Sequence, residues 1–166
     1  MRNIIISILM IVLSTNNSFS QVESKSFDVL LKTMLKNTVT KISVKELMPK
    51  IDQVVLLDAR EPQEYEVSHL KNAKFVGFNQ FNISILQYLP KNSEIVVYCS
   101  IGVRSEKIGE KLKAAGFTNV KNLYGSIFEW VNQGNQVFDT QNRPTKKVHA
   151  FNKKWGVWLN KGEKVY

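Results

Sequence analysis

The chain has 166 residues, 43% of them hydrophobic and 22% charged, and a formal net charge of +9. This length suits one domain with a proper core, and the composition excludes a disordered chain. The single cysteine, Cys99, excludes an intrachain disulfide. The basic balance favours small anions as ligands; no nucleic-acid-binding motif is present.

The first segment, 1–20, reads as a secretory signal. Arg2 supplies a basic start, and Ile4 to Leu13 forms an apolar run of about ten residues. Ser18-Phe19-Ser20 then places small residues where a signal peptidase reads, predicting cleavage before Gln21. The run is too short to span a bilayer comfortably, so no stable membrane span is expected. No cysteine follows it to carry a lipid. The expected location is periplasmic or extracellular, and export argues against a nucleic-acid partner. An exported lone thiol is open to mixed disulfides and over-oxidation unless it is buried or has chemistry to perform.

Residues 21–42 form a lead-in. Phe27, Leu30, Leu31, Met34 and Leu35 fall near helical spacing and predict one helix between Val22 and Thr40. Ser43-Val44-Lys45-Glu46 matches a capping box, opening a short helix that stops at Pro49. Val54 to Leu57 is a continuous apolar run, as in a strand buried on both faces. Asp58-Ala59-Arg60 ends it, and Glu61-Pro62 opens a helical turn. Phe75 to Phe78 reads as a short strand and Ile83 to Leu89 as a short helix. Ile95 to Tyr98 is a strand, and Arg104 to Ala115 a helix closed by Gly116. Val120 to Leu123 is a further strand and Ser126 to Asn132 a further helix. Asn135 to Pro144 reads as loop. The basic, aromatic stretch beyond it, with Phe151, Trp155, Trp158 and Tyr166, reads as a strap packed on the domain or as a docking tail.

Strand and helix alternate, which predicts an α/β fold with a parallel sheet and helices on both faces. Ligands bind such sheets at the carboxyl ends of the strands. Asp58, Arg60, Cys99 and Gly125 all fall at or just past predicted strand ends, and can share one rim. The turn Cys99-Ser100-Ile101-Gly102-Val103-Arg104 leads directly from strand to helix. Its successive backbone N–H groups and the helix N-terminus favour an anion there, so a thiol at its head ionises readily. The alternative is a buried, inert cysteine.

Several motifs in order resemble those of single-domain rhodaneses, the thiosulfate sulfurtransferase-like family. Asp58-Ala59-Arg60-Glu61 resembles that family's Asp-x-Arg strand end. Ser68-His69-Leu70-Lys71-Asn72-Ala73 resembles its Gly-His-Ile-Pro-Gly-Ala segment. Cys99 to Ser105 resembles its C-x-x-G-x-R-S active loop. Gly116 to Val120, Leu123-Tyr124-Gly125 and Trp130 resemble its closing passage. The match runs over 43–134, leaving 135–166 as a basic, aromatic extension. Lys71-Asn72 replaces the usual Pro-Gly, and Ser126 the second glycine of a pair.

The resemblance implies a rhodanese-like three-layer domain and a sulfurtransferase with no cofactor and no metal. Cys99 would attack the sulfane sulfur of a small anionic donor such as thiosulfate, form a persulfide, and pass the sulfur to cyanide or a thiol in two covalent steps. A protein donor or acceptor is a further possible partner. Ser100, Ile101, Gly102, Val103 and Arg104 would cradle the donor, with Arg104 pairing its anionic oxygens or lying solvated in the first helical turn. Asp58 and Arg60 would lock the rim. His69 would hold a loop, since an ionised thiol needs no general base. His149 has no motif around it. The competing readings are a persulfide carrier or partner-docking module without turnover, and a cysteine phosphatase or arsenate reductase. Cell-cycle dual-specificity phosphatases resemble rhodaneses in fold but carry a loop one residue longer than the six residues from Cys99 to Arg104.

Overall fold

A computed structural model describes residues 21–166; the segment 1–20, read above as a secretory signal, lies outside the described residues. The elements in chain order begin with α1 (Lys25–Met34), β1 (Thr40–Ile42), α2 (Val44–Leu47), β2 (Val55–Asp58), α3 (Pro62–Val67) and β3 (Lys74–Phe75). They continue with β4 (Glu94–Tyr98), α4 (Val103–Ala114), β5 (Asn119–Leu123) and α5 (Ser126–Asn132). The extension adds β6 (Val137–Phe138), β7 (Pro144–Thr145), β8 (Lys147–His149), α6 (Lys153–Gly156) and β9 (Glu163–Val165).

Five strands form one parallel sheet in the order β1-β5-β4-β2-β3. The central strand β4 explains the layering. Successive side chains in a strand point to opposite faces. Val96 and Tyr98 enter one core with Phe27, Leu31, Leu47, Ile127 and Phe128. Ile95 and Val97 enter the other with Ile108, Leu112 and Phe117. Both faces of the sheet are therefore covered, giving the expected α/β architecture of three layers. The capping box is present as expected: the Ser43 hydroxyl accepts from the Glu46 N–H, and the Glu46 carboxylate accepts from the Ser43 N–H.

The lead-in departs from a single helix. Ser24 caps α1, which ends at Met34, and the chain then extends to add β1 at the sheet edge beside β5. Asn37 takes a left-handed φ of 58° in the intervening turn, and the Glu106 carboxylate accepts from the backbone N–H groups of Lys36 and Thr38. The helical spacing up to Leu35 is real; beyond it, a backbone held by α4 and paired with β5 outweighs any local helical tendency. After α2, the chain continues past Pro49 as a 3-10 turn over Met48–Gln53, with proline early enough to be tolerated. The helix expected over Ile83 to Leu89 is a 3-10 turn, Ile83–Leu86. The strand expected from Phe75 to Phe78 pairs only through Lys74–Phe75.

The extension packs on the domain. Val148, Ala150 and Leu159 are buried in the same core as Phe27, and Trp158 stacks on Phe27 with ring centroids 5.5 Å apart. Asn132 clips it in place: its amide donates to the Trp158 carbonyl, and its Oδ1 accepts from the Asn160 N–H at 2.7 Å. Within the stretch expected as loop, β6 pairs antiparallel with β7, and Phe138 bridges His69. Among the described residues, no helix is long and apolar enough to cross a membrane.

Candidate active site

The carboxyl ends of β2, β4 and β5 lie side by side, and the residues that follow them build the site. Asp58 and Tyr98 are in register as the last residues of β2 and β4. Cys99 follows Tyr98 and is buried. Its backbone is held at both ends. The Cys99 N–H donates to the Ser126 hydroxyl at 3.1 Å, and its carbonyl accepts from the Ile127 N–H at the start of α5. Ser126 itself has a positive φ of 53°. This hydroxyl stands where the resemblance led us to expect a glycine, and sequence reasoning treated it only as a loop-shaping departure.

The loop from Cys99 into α4 curls around the sulfur. The Gly102 N–H donates to Cys99 Sγ at 3.1 Å. Gly102 takes φ 124°, a conformation open to glycine and strained for other residues. Its carbonyl accepts from the Asn122 side chain at 2.9 Å, and the Ser105 hydroxyl bonds to Asn122 Oδ1 at 2.7 Å. Burial alone raises the pKa of the Cys99 thiol. No single group offsets burial, but the charge of Arg104, the Ser105 hydroxyl and the Ser105 and Gly102 amides together do, and the thiol sits below its ordinary value. The hydrogen bonds and charge around Sγ thus favour the thiolate form.

Arg104 is not solvated in the first turn of α4, one of the two readings open for it. It forms a two-bond ion pair with Glu64 of α3, at 2.6 and 2.7 Å. The side-chain exposures are 16% for Arg104 and 1% for Glu64, so the pair is sheltered from water. Ser100 joins it: its hydroxyl donates to Glu64 at 2.9 Å and accepts from Arg104. Burial raises the Glu64 carboxyl, but the Arg104 hydrogen bonds and charge, with the Glu61 N–H and the Arg60 charge, together hold it below its ordinary value. Sequence reasoning missed Glu64. Its position in the first turn of a short helix resembles any solvated face, and no local pattern links it to a residue forty positions away.

Asp58 and Arg60 form a fully buried pair. Arg60 Nε and an NH2 group both donate to the Asp58 carboxylate, and the NH2 group also reaches the Ser68 carbonyl at 2.6 Å. This pair ties the end of β2 to the loop after α3. The His69 ring stacks on Tyr65 with centroids 4.0 Å apart, and its Nδ1 donates to the Tyr65 carbonyl. Its backbone exchanges two hydrogen bonds with Phe138 of the extension.

A cavity of about 150 Å³ opens above Cys99. Ile101 and Val103 line it from the loop and the start of α4, and Met34 from α1. Phe151 and Trp155 line it from the extension, with the Arg104 guanidinium 5.1 Å from the centre of the Phe151 ring. His149 orients this cover, since its Nδ1 accepts the Phe151 N–H at 3.1 Å. Trp155 and Trp158 both pack against the core that holds Phe27, and Trp155 also lines the cavity. Among the described residues, no cluster of metal-ligating side chains occurs.

A parallel three-layer domain with a sulfur-cradling loop at its strand ends defines the class of protein. The rhodanese-like domain family matches residues 40–133, and the chain belongs to that family. It is 30% identical over 98 residues to a "Probable adenylyltransferase/sulfurtransferase MoeZ" of Mycobacterium tuberculosis, covering 58% of this chain and 25% of that protein. It is 38% identical over 82 residues to a tRNA uridine(34) hydroxylase of Aster yellows witches'-broom phytoplasma, covering 46% and 27%. The chain thus spans about a quarter of the length of these relatives. A rhodanese-like domain protein of Staphylococcus aureus is 29% identical with a TM-score of 0.50, over 55% of this chain and 90% of that one. Sulfurtransferases thus stand among the relatives of this domain.

Proposed function

We propose that this protein is a sulfurtransferase that receives a sulfane sulfur on Cys99 and hands it to a thiophilic acceptor. The observation that carries the reading is the Gly102 N–H directed at Cys99 Sγ, in a loop whose charge and hydrogen bonds favour the thiolate. In the first step the thiolate attacks the outer sulfur of thiosulfate or a persulfide. The donor's S–S bond breaks, and sulfite or a thiolate leaves with the electron pair. The same N–H groups that hold the thiolate face the persulfide sulfur. In the second step cyanide or a thiol attacks that outer sulfur and Cys99 leaves as thiolate. Ser126 and Asn122 act as positioning residues for the loop. Removal of segment 1–20 as a signal would place this chemistry outside the cytoplasm.

Intact-mass measurement before and after excess thiosulfate or an organic persulfide tests the reading. The expected result is one added sulfur on the wild type, removed by cyanide as thiocyanate, and none on Cys99→Ser. No adduct from either donor, with the thiol shown to be free, would sink it. Repeated turnover with excess donor and acceptor separates a catalyst from a carrier that loads once.

A further inference from the structure

The cover above Cys99 comes from outside the segment that the family matches. Met34 precedes that segment, and Phe151 and Trp155 follow it. Together with Ile101 and Val103 they give the cavity an apolar wall. Besides Cys99, its polar side chains are Ser100 and Arg104, and Glu64 engages both. The Arg104 charge is offset by a carboxylate on one side, and an aromatic ring lies beside it. Among the described residues, no lysine lines the cavity; Lys153 and Lys154 of α6 are exposed and outside the lining. An oxyanion on the donor's leaving group, beyond the amide at Cys99 Sγ, would meet thioether and aromatic carbon, with the one side-chain cation of the described lining already paired. Bringing a charge against such a wall is unfavourable, whereas an apolar body gains by leaving water.

We infer that the sulfur donor matched to this site is a small organic hydropersulfide, R–S–SH, whose R group is uncharged and apolar. The inference rests on Cys99 being the sulfur-accepting nucleophile. A cavity of about 150 Å³ lined by apolar side chains accommodates a body the size of benzene, which sets the scale of R. The Cys99 thiolate attacks the outer sulfur, and a new S–S bond forms as the donor's S–S bond breaks. The electron pair departs on R–S⁻, and the transferred sulfur keeps its hydrogen: Cys99–S⁻ and R–S–SH become Cys99–S–SH and R–S⁻. The donor's inner sulfur is reduced as Cys99 is oxidised, so no outside oxidant is needed. Phe151, Trp155 and Met34 are the residues that set this preference.

The test compares three donors on the full chain, following the added sulfur by intact mass over time. They are the hydropersulfide of phenylmethanethiol, the hydropersulfide of 2-mercaptoethanesulfonate, and thiosulfate. The aromatic donor is expected to load Cys99 at least tenfold faster than either anion. Met34→Lys, at an exposed position in the last turn of α1, puts a free cation at the opening and is expected to narrow that ratio severalfold. Trp155→Ala is expected to slow the aromatic donor selectively. Equal or faster loading by the sulfonate donor or by thiosulfate on the wild type overturns the inference while leaving Cys99 as the nucleophile. Loading by none of the three overturns that reading and the inference with it.

Discussion

Replacing Glu64 with Gln removes one buried charge and almost no volume. In the native protein the carboxylate accepts two hydrogen bonds from Arg104, one from Ser100 and one from the Glu61 N–H. Glutamine keeps one acceptor oxygen and turns an NH2 group toward donors. Breaking a buried ion pair costs about 3–5 kcal/mol. Arg104 keeps a little contact with water, so the lower end applies, about 3 kcal/mol, or roughly 6–12 °C in Tm for a domain of this size. The Glu64 pKa is depressed on folding, so its contribution is present above the unfolded carboxylate value of about 4.3 and is lost as pH falls through the folded value. The gap between wild type and Glu64→Gln should therefore be full at pH 7 and shrink in acid. A second consequence appears at the cysteine. Arg104 freed of its partner acts on Cys99 with its whole charge, so the midpoint of Cys99 alkylation against pH should move down. Urea denaturation at several pH values and alkylation rates read the two effects. A variant as stable as wild type at pH 7, or an alkylation midpoint that stays or rises, would refute the account of the Glu64–Arg104 pair.

Two further changes probe the loop and the extension. Gly102→Ala has space for its methyl group, which meets Leu35 at 3.4 Å, but φ 124° strains any other residue. It should cost about 1–3 kcal/mol and slow Cys99 alkylation by shifting the amide off the sulfur; unchanged stability and rate would contradict the cradle. Leu159→Ala, at a fully buried position in the extension, should cost about 2–5 kcal/mol in chemical denaturation. A loss below about 0.5 kcal/mol, the ordinary range for surface changes, would show that the extension is not part of the folded core.

Features resting on neighbours along the chain could be read directly from residue order. The apolar strand before Cys99, the turn with Gly102, the helix after it, the Ser43–Glu46 capping box and α5 all depend on contacts within a turn or two, where periodicity and capping chemistry act. The alternation of strands and helices carried the parallel sheet and, with it, the common rim for Asp58 and Cys99. The partners across the rim were a different matter. Arg104 carries no local mark that chooses Glu64 over solvent or a ligand. That pairing exists because α3 and the start of α4 both emerge at the carboxyl edge of the sheet. β1 likewise depends on β5 being there to pair with it. The same holds for the aromatics of the extension. Trp155 and Trp158 are three apart in sequence, yet one lines the cavity over Cys99 and the other stacks on Phe27, because Asn132 and the buried Leu159 determine how the strap crosses the domain. Residue order thus specified the Cys99 loop through short-range backbone chemistry, whereas the charge and apolarity of its surroundings arose from long-range packing that no local pattern encodes.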